Sequence, residues 1–222
     1  MGSITFHSLA ANMDIIDNYD KLRLGKYMDI QAIANREGME EIDRQIEILA
    51  ILADSDPEEI GHLPIGEYKE MVAKAAFLSA PEINLHPIAK KYLVGSFELY
   101  PVRDFRKLET CQYVDFQTYA PDLEKYLPEF LSVILVPKGH RYNEGYDILD
   151  VQKAIREDMS VADGISLAGF FLTWCRKSIL SSLNSSKREA LKIPDKTRRE
   201  KILEKINRQL EILGESGGGS TT

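Results

Sequence analysis

The sequence predicts an α+β fold, predominantly helical, built from two pseudo-repeated strand-plus-helices units with a central β-hairpin and a C-terminal helical extension. Three observations predict it. Lys26-Tyr27-Met28-Asp29-Ile30-Gln31 returns 86 residues later as Gln112-Tyr113-Val114-Asp115-Phe116-Gln117, and Leu22 matches Leu108 in the same register. Two apolar runs flank Gly95-Ser96. The chain then closes on a basic, amphipathic stretch ahead of a Gly/Ser-rich tail.

The echo comes first because a repeat decides the architecture. Within each copy, polar and apolar residues alternate: Tyr27, Asp29 and Gln31 face one way, Met28 and Ile30 the other. That period of two reads as a short strand. Helical patterns follow. Ile42, Ile46, Leu49 and Leu52 share one face after the first copy; the 123–136 segment turns from acidic to strongly apolar after the second. Pro128 suits a helix's first turn. Asp56-Pro57-Glu58-Glu59 carries a cap, a proline at the first helical position and acidic first-turn residues. A further helix is expected through Tyr68, Met71, Val72 and Ala75. In the second half, 147–157 reads as a helix. Ser160 with Asp163 reads as a capped start of another, ending at Phe170-Phe171-Leu172.

Between the halves, 91–100 reads as a hairpin, with Pro101 ending a strand or marking an edge. Pro194-Asp195 opens a helix to Leu213, with Ile202, Leu203, Ile206, Leu210 and Leu213 as its stripe. The expected division is 1–80, 81–185, a helical extension 186–213 and a flexible tail 214–222, with the two halves packed as one body because neither is large enough to be comfortable alone.

Composition narrows the function. The 222 residues are 44% apolar and 28% charged, ordinary values for a folded chain. The net charge of −7 argues against a surface that wraps nucleic acid. From Lys187 to Arg208, however, nine bases meet four acids, so this stretch carries +5 and the rest −12. Such asymmetry marks an element with a partner of its own. Cys111 and Cys175 have no CxxC spacing, so neither a disulfide framework nor a zinc site is expected, and a reducing compartment fits. No signal peptide is read at the start, and the longest apolar run, 165–175, is too short for a bilayer.

His7, His62, His86 and His140 stand apart, without ligand spacing, and no nucleophile elbow, phosphate loop or dinucleotide fingerprint occurs. No metal and no cofactor is expected. The 137–147 loop is polar, glycine-containing and aromatic, and is the most binding-like segment. Its Tyr142 and Tyr146, with the Ile202, Leu203, Ile206, Leu210 and Leu213 stripe, are the candidate protein-binding residues. The same tyrosines also suit a half-buried core position. Two other classes stay open: an enzyme whose site is assembled from Asp29, Asp115, His140 and this loop, and a DNA-packaging accessory using the basic C-terminal helix.

The Leu22-Arg23-Leu24-Gly25-Lys26-Tyr27-Met28-Asp29-Ile30-Gln31 stretch, with the later Gln112-Tyr113-Val114-Asp115-Phe116-Gln117, resembles a group of tailed-bacteriophage proteins, crAss-like phages included. In that group such a stretch precedes helices. An Ile134-Leu135-Val136-Pro137-Lys138-Gly139 passage with Tyr142 and Tyr146-Asp147 follows, then a Phe170-Phe171 helix. The likeness spans Leu22 to Leu183. It implies a virion-associated or tail-assembly protein without catalytic residues: an assembly chaperone, a protein packed in the particle, or a ring component. Its partners would be other virion or tail-assembly proteins or a second copy, with no membrane role and nucleic acid disfavoured. Its location would be the host cytoplasm during assembly, with the virion as the alternative.

Overall fold

The computed structural model describes residues 14–79, 83–104 and 107–215; for Gln209 and 211–215 it describes the backbone alone. The chain is α+β and predominantly helical, with a small three-stranded antiparallel sheet. The described residues form two compact units, one ending at Ala168 and the other beginning at Gly169.

In the first unit, α1 (Leu24–Ala34) pairs with α2 (Glu41–Ala53), followed by α3 (Pro57–Gly61), α4 (Ile65–Ala75) and a 3-10 turn at Ala76–Ser79. Next come β1 (Tyr92–Val94) and β2 (Phe97–Pro101), then α5 (Thr110–Tyr119) pairs with α6 (Leu123–Ile134). β3 (Leu135–Pro137), α7 (Ile148–Asp158) and the start of α8 (Val161–Leu191) complete it.

Both copies of the echoed motif are helical, which corrects the expected strands. A six-residue window alternates, but the burial extends beyond it: Leu24, Ile30 and Ile33 are buried on α1, Gln112 and Phe116 on α5, at helical spacings. The repeat persists as a helical pair. Shifting by 86 carries Leu24, the first residue of α1, onto Thr110, the first of α5. It carries Glu41, which opens α2, onto Leu127, just past the non-helical Tyr126 inside α6. Pro128 therefore sits in the first turn of a restarted helix, where its missing N–H costs nothing. Ile30 and Phe116, equivalent in the repeat, are both buried. Tyr27 and Tyr113 diverge: the first is half-buried edge-on against Tyr19, the second is exposed and accepts from Gln117.

The hairpin forms as expected. Val94 pairs with Phe97 across Gly95-Ser96, and Gly95 takes φ +55°, which a two-residue hairpin turn needs. β3 was hidden in the apolar end of the 123–136 segment. Its pairing with β2, Leu99 opposite Pro137 and Pro101 opposite Leu135, makes β2 the central strand. Pro101 lies at the strand's last position, where a missing donor is tolerated.

Caps behave as their chemistry dictates. Asp56 accepts from Glu58 N–H and Asp147 from Leu149 N–H. Asp163 N–H donates to Ser160 Oγ at 3.1 Å, while the Ser160 hydroxyl donates back to Asp163 at 3.0 Å. α8 does not end at Leu172 but runs on to Leu191, because no proline or glycine stop intervenes. Ile42, expected inside, is 49% exposed at the open start of α2, whereas Leu49 and Leu52 are buried.

The core of this unit lies where α1, α6, α7 and the start of α8 meet. Leu22, Leu24, Phe130, Leu131, Ile155 and Val161 are fully buried there, each such side chain contributing about 1.5–3 kcal/mol. Segments 22–24 and 159–161 zip together, Leu24 N–H to Met159 O and Val161 N–H to Leu22 O. Arg156 on α7 lies over Gly25 of α1, where a Cβ would stand 3.0 Å from the Arg156 carbonyl oxygen, and its guanidinium donates to Asp29 at 2.7 Å. The Leu-Gly-x-Tyr-x-Asp stretch is therefore a docking site for α7: Gly25 supplies the room, and Asp29, one turn on, the charge.

The second unit comprises the rest of α8 and α9 (Lys196–Glu215). Asp195 caps α9 by accepting from Arg198 N–H at 2.9 Å. Lys187 reaches Asn207 at 2.9 Å, although 20 residues of continuous helix would separate them by about 30 Å. The chain therefore reverses at 192–195, and the two helices run as an antiparallel pair.

Candidate functional site: a cationic cleft beside the 138–147 loop

The 138–147 loop leaves β3 and enters α7 in a built conformation. Lys138 N–H donates to Glu98 O, His140 N–H to Pro137 O, and Asn143 N–H to the Tyr146 phenol. Gly139 and Gly145 take φ near +79° and +78°; a Cβ at Gly145 would meet His140 Nδ1 at 2.7 Å. The His140 ring packs edge-on against Tyr146, its Nδ1 3.2 Å from Glu144 O.

This loop walls one side of a cleft of about 360 Å³. Tyr100, Pro101 and Val136 form its floor from β2 and β3. Arg103, Asp104 and Lys107 line it from the connection after β2, Glu109 and Gln112 from the start of α5, and His140, Arg141 and Tyr142 from the loop. Gln112, buried, ties the corner: its Oε1 accepts from Glu109 N–H and its amide donates to Val133 O. A second recess, also about 360 Å³, shares Tyr100, Val136 and His140 and is otherwise lined by Pro137, Lys138 and Gly139.

Tyr142, expected as a binding residue, is only 4% exposed, so its ring is an anchor inside the unit rather than a free contact face. Its phenol donates to Asp115 at 2.8 Å. Burial, and then the Asp115 carboxylate, push its ionisation well above the usual tyrosine range. Tyr146 is half-buried, and burial raises its pKa too.

Asp29, Asp115 and His140 each have a separate partner: Arg156, Tyr142 and the Glu144 carbonyl. The two repeat-related carboxylates thus fasten two different elements, α7 and the loop, as one face of each helix dictates. On α9, Ile206 is buried, while Ile202, Leu203 and Leu210 are half-exposed; the Leu213 side chain lies outside the described residues, as do residues 216–222 of the tail.

Arg103 and Lys107 had not been singled out. The signal was present as a basic run, Arg103-Asp104-Phe105-Arg106-Lys107, directly after a strand. His86 was read as isolated, yet its Nδ1 stands 2.8 Å from Asp163 and its Nε2 3.0 Å from Asp20. No sequence spacing reports a convergence of residues 20, 86 and 163.

Among the described residues no helix is long and apolar enough to cross a membrane, and no group of three or more His, Cys, Asp or Glu is gathered as a metal site. No protein-family model, curated protein or solved structure matches the chain.

Proposed function

We propose that this chain is a non-enzymatic structural or assembly protein of a tailed bacteriophage, acting through contacts with other virion or tail-assembly proteins and with copies of itself. The observation that carries the reading is the amphipathic, basic α9. Among the described side chains of its stripe, Ile206 is buried, and Ile202, Leu203 and Leu210 keep aliphatic surface open. Along Lys187 to Arg208 this surface sits within a local +5, in a chain otherwise at −12, so a second copy offers charge complementary to it. The likeness of the 22–31 and 134–147 stretches to phage proteins supports the particle setting, during assembly in the host cytoplasm or in the virion itself.

Light scattering of the full chain checks the docking role. Replacing Ile202 and Leu203 together by Glu introduces two charges on the open stripe while leaving the buried Ile206 in place. A parent mass of more than one 25.2 kDa chain, falling to a single chain in the Ile202→Glu, Leu203→Glu protein with unchanged helical circular dichroism, is expected. Equal masses for the two proteins sink it.

A further inference from the structure

We infer that the cleft between the 138–147 loop and the connection after β2 is a binding site for a small phosphomonoester carried on an apolar body. The inference is independent of the docking role of α9. It rests on the two halves of the cleft. In one half, Arg103, Lys107 and Arg141, all exposed, line the cleft from two separate segments. None of the three has an ion pair among the described residues; the hydrogen bond Arg103 makes is a long one, 3.5 Å, to the Ala89 carbonyl. This contrasts with the neighbouring rim, where Glu98 is already held by Lys91, Tyr100 and Lys138. Cations that gather without a direct ion pair repel one another and are stabilised by an added anion. Two guanidinium groups and an ammonium suit the tetrahedral, multiply charged oxygens of a phosphate.

Two carboxylates share the wall and set the charge requirement. Asp104 already has an interaction of its own, and Glu109 stands at the start of α5, where the helix N-terminus favours its charge. Among the described residues of the wall, three cations against these two carboxylates leave one net positive charge, so a dianion gains more here than a monoanion. The other half is mainly apolar, and the Lys138 that also lines it is paired with Glu98. Tyr100, Val136, Pro137 and Gly139 make a shelf continuous with the cationic half through Tyr100, Val136 and His140. A cleft of this size holds a small organic molecule and not a folded partner. The loop's glycines and internal hydrogen bonds hold the walls in place beforehand, so little ordering is needed on binding.

Titration calorimetry of the full chain with phenyl phosphate, inorganic phosphate, benzoate and phenol tests the inference. Phenyl phosphate is expected to bind saturably, about tenfold more tightly than either phosphate or benzoate, with phenol not binding. Lys107→Ala with Arg141→Ala should weaken phenyl phosphate at least about tenfold at an unchanged melting temperature. If that pair melts early, Arg141→Gln alone carries the comparison, with Lys69→Ala on exposed α4 as the charge control. Several results overturn the site: no saturation by about 10 mM phenyl phosphate, equal affinity for benzoate or for inorganic phosphate, or undiminished binding in the variants. A single-stranded oligonucleotide that binds more tightly than phenyl phosphate, with a salt slope of several phosphates, overturns it in favour of an extended strand.

Discussion

The Tyr142 phenol donates a 2.8 Å hydrogen bond to Asp115, so the second copy of the echoed motif fastens the 138–147 loop where the first copy fastens α7. One carboxylate position, duplicated, serves two different attachments. Removing the phenolic oxygen leaves Asp115 without this donor, and Tyr142→Phe should cost about 1–2 kcal/mol. Asp115→Asn should cost less than Asp115→Ala, because an amide oxygen still accepts. Urea unfolding of the singles and of Tyr142→Phe with Asp115→Ala checks it: the double change should cost less than the sum of the two singles.

Gly25 and Cys111 are equivalent in the repeat but not in their surroundings. A Cβ at Gly25 would press on the Arg156 backbone oxygen at 3.0 Å, whereas Cys111 is exposed. Gly25→Ala should therefore destabilise by about 1–3 kcal/mol, despite the better helix propensity of alanine. Cys111→Ala should stay within about 0.5 kcal/mol of the parent. Comparable thermal melts for the two proteins would contradict this account of the motif glycine.

His86 bridges two acceptors that cannot donate, Asp163 and Asp20, so only the imidazolium satisfies both. The hydrogen bond to Asp163 is the largest cause of a pKa raised above the usual 6.5, with the charges of Asp163 and Asp20 adding to it against partial desolvation. A raised folded-state pKa gives stability that is whole below 6.5 and is lost as the pH climbs through the elevated value. His86→Asn should cost about 1 kcal/mol or less, since the group is partly exposed, and should cost it only on the acid side. Denaturation midpoints of parent and variant should converge as the pH is raised; a constant gap would refute the bridge.

The two cysteines should differ as nucleophiles. Burial pushes the Cys175 thiol up to about 12, while Cys111 is exposed. With a disulfide reagent near neutral pH, the folded chain should release about one fast equivalent of thiolate, lost in Cys111→Ser and kept in Cys175→Ser.

Gly145 should tolerate no side chain. Its φ is +78° and a Cβ would stand 2.7 Å from His140 Nδ1. Gly145→Ala should cost about 1–2 kcal/mol and loosen the loop, read as faster amide exchange at Lys138 and His140, whose N–H groups donate to the Glu98 and Pro137 carbonyls of the sheet.

The sequence by itself determined what depends on near neighbours. The Asp56 and Ser160 caps, the Gly95-Ser96 turn, the restart at Pro128 and the α9 stripe all follow from residues within a few positions of one another, because caps and turns are closed by local hydrogen bonds and local φ preferences. The repeat was legible as an offset of 86, and Ile30 and Phe116 share its burial. The motif's secondary structure was not, since six alternating residues fit a strand until Leu24 and Ile33 extend the pattern. Only the tertiary structure decided the rest. β3 exists because β2 offers it a partner; its three residues carry no period of their own. The cleft is likewise a product of chain reversal: Arg103, Lys107 and Arg141 line it together only because α5 and α6 fold the intervening residues back on the sheet. Convergences over such separations depend on packing geometry, which no local pattern encodes.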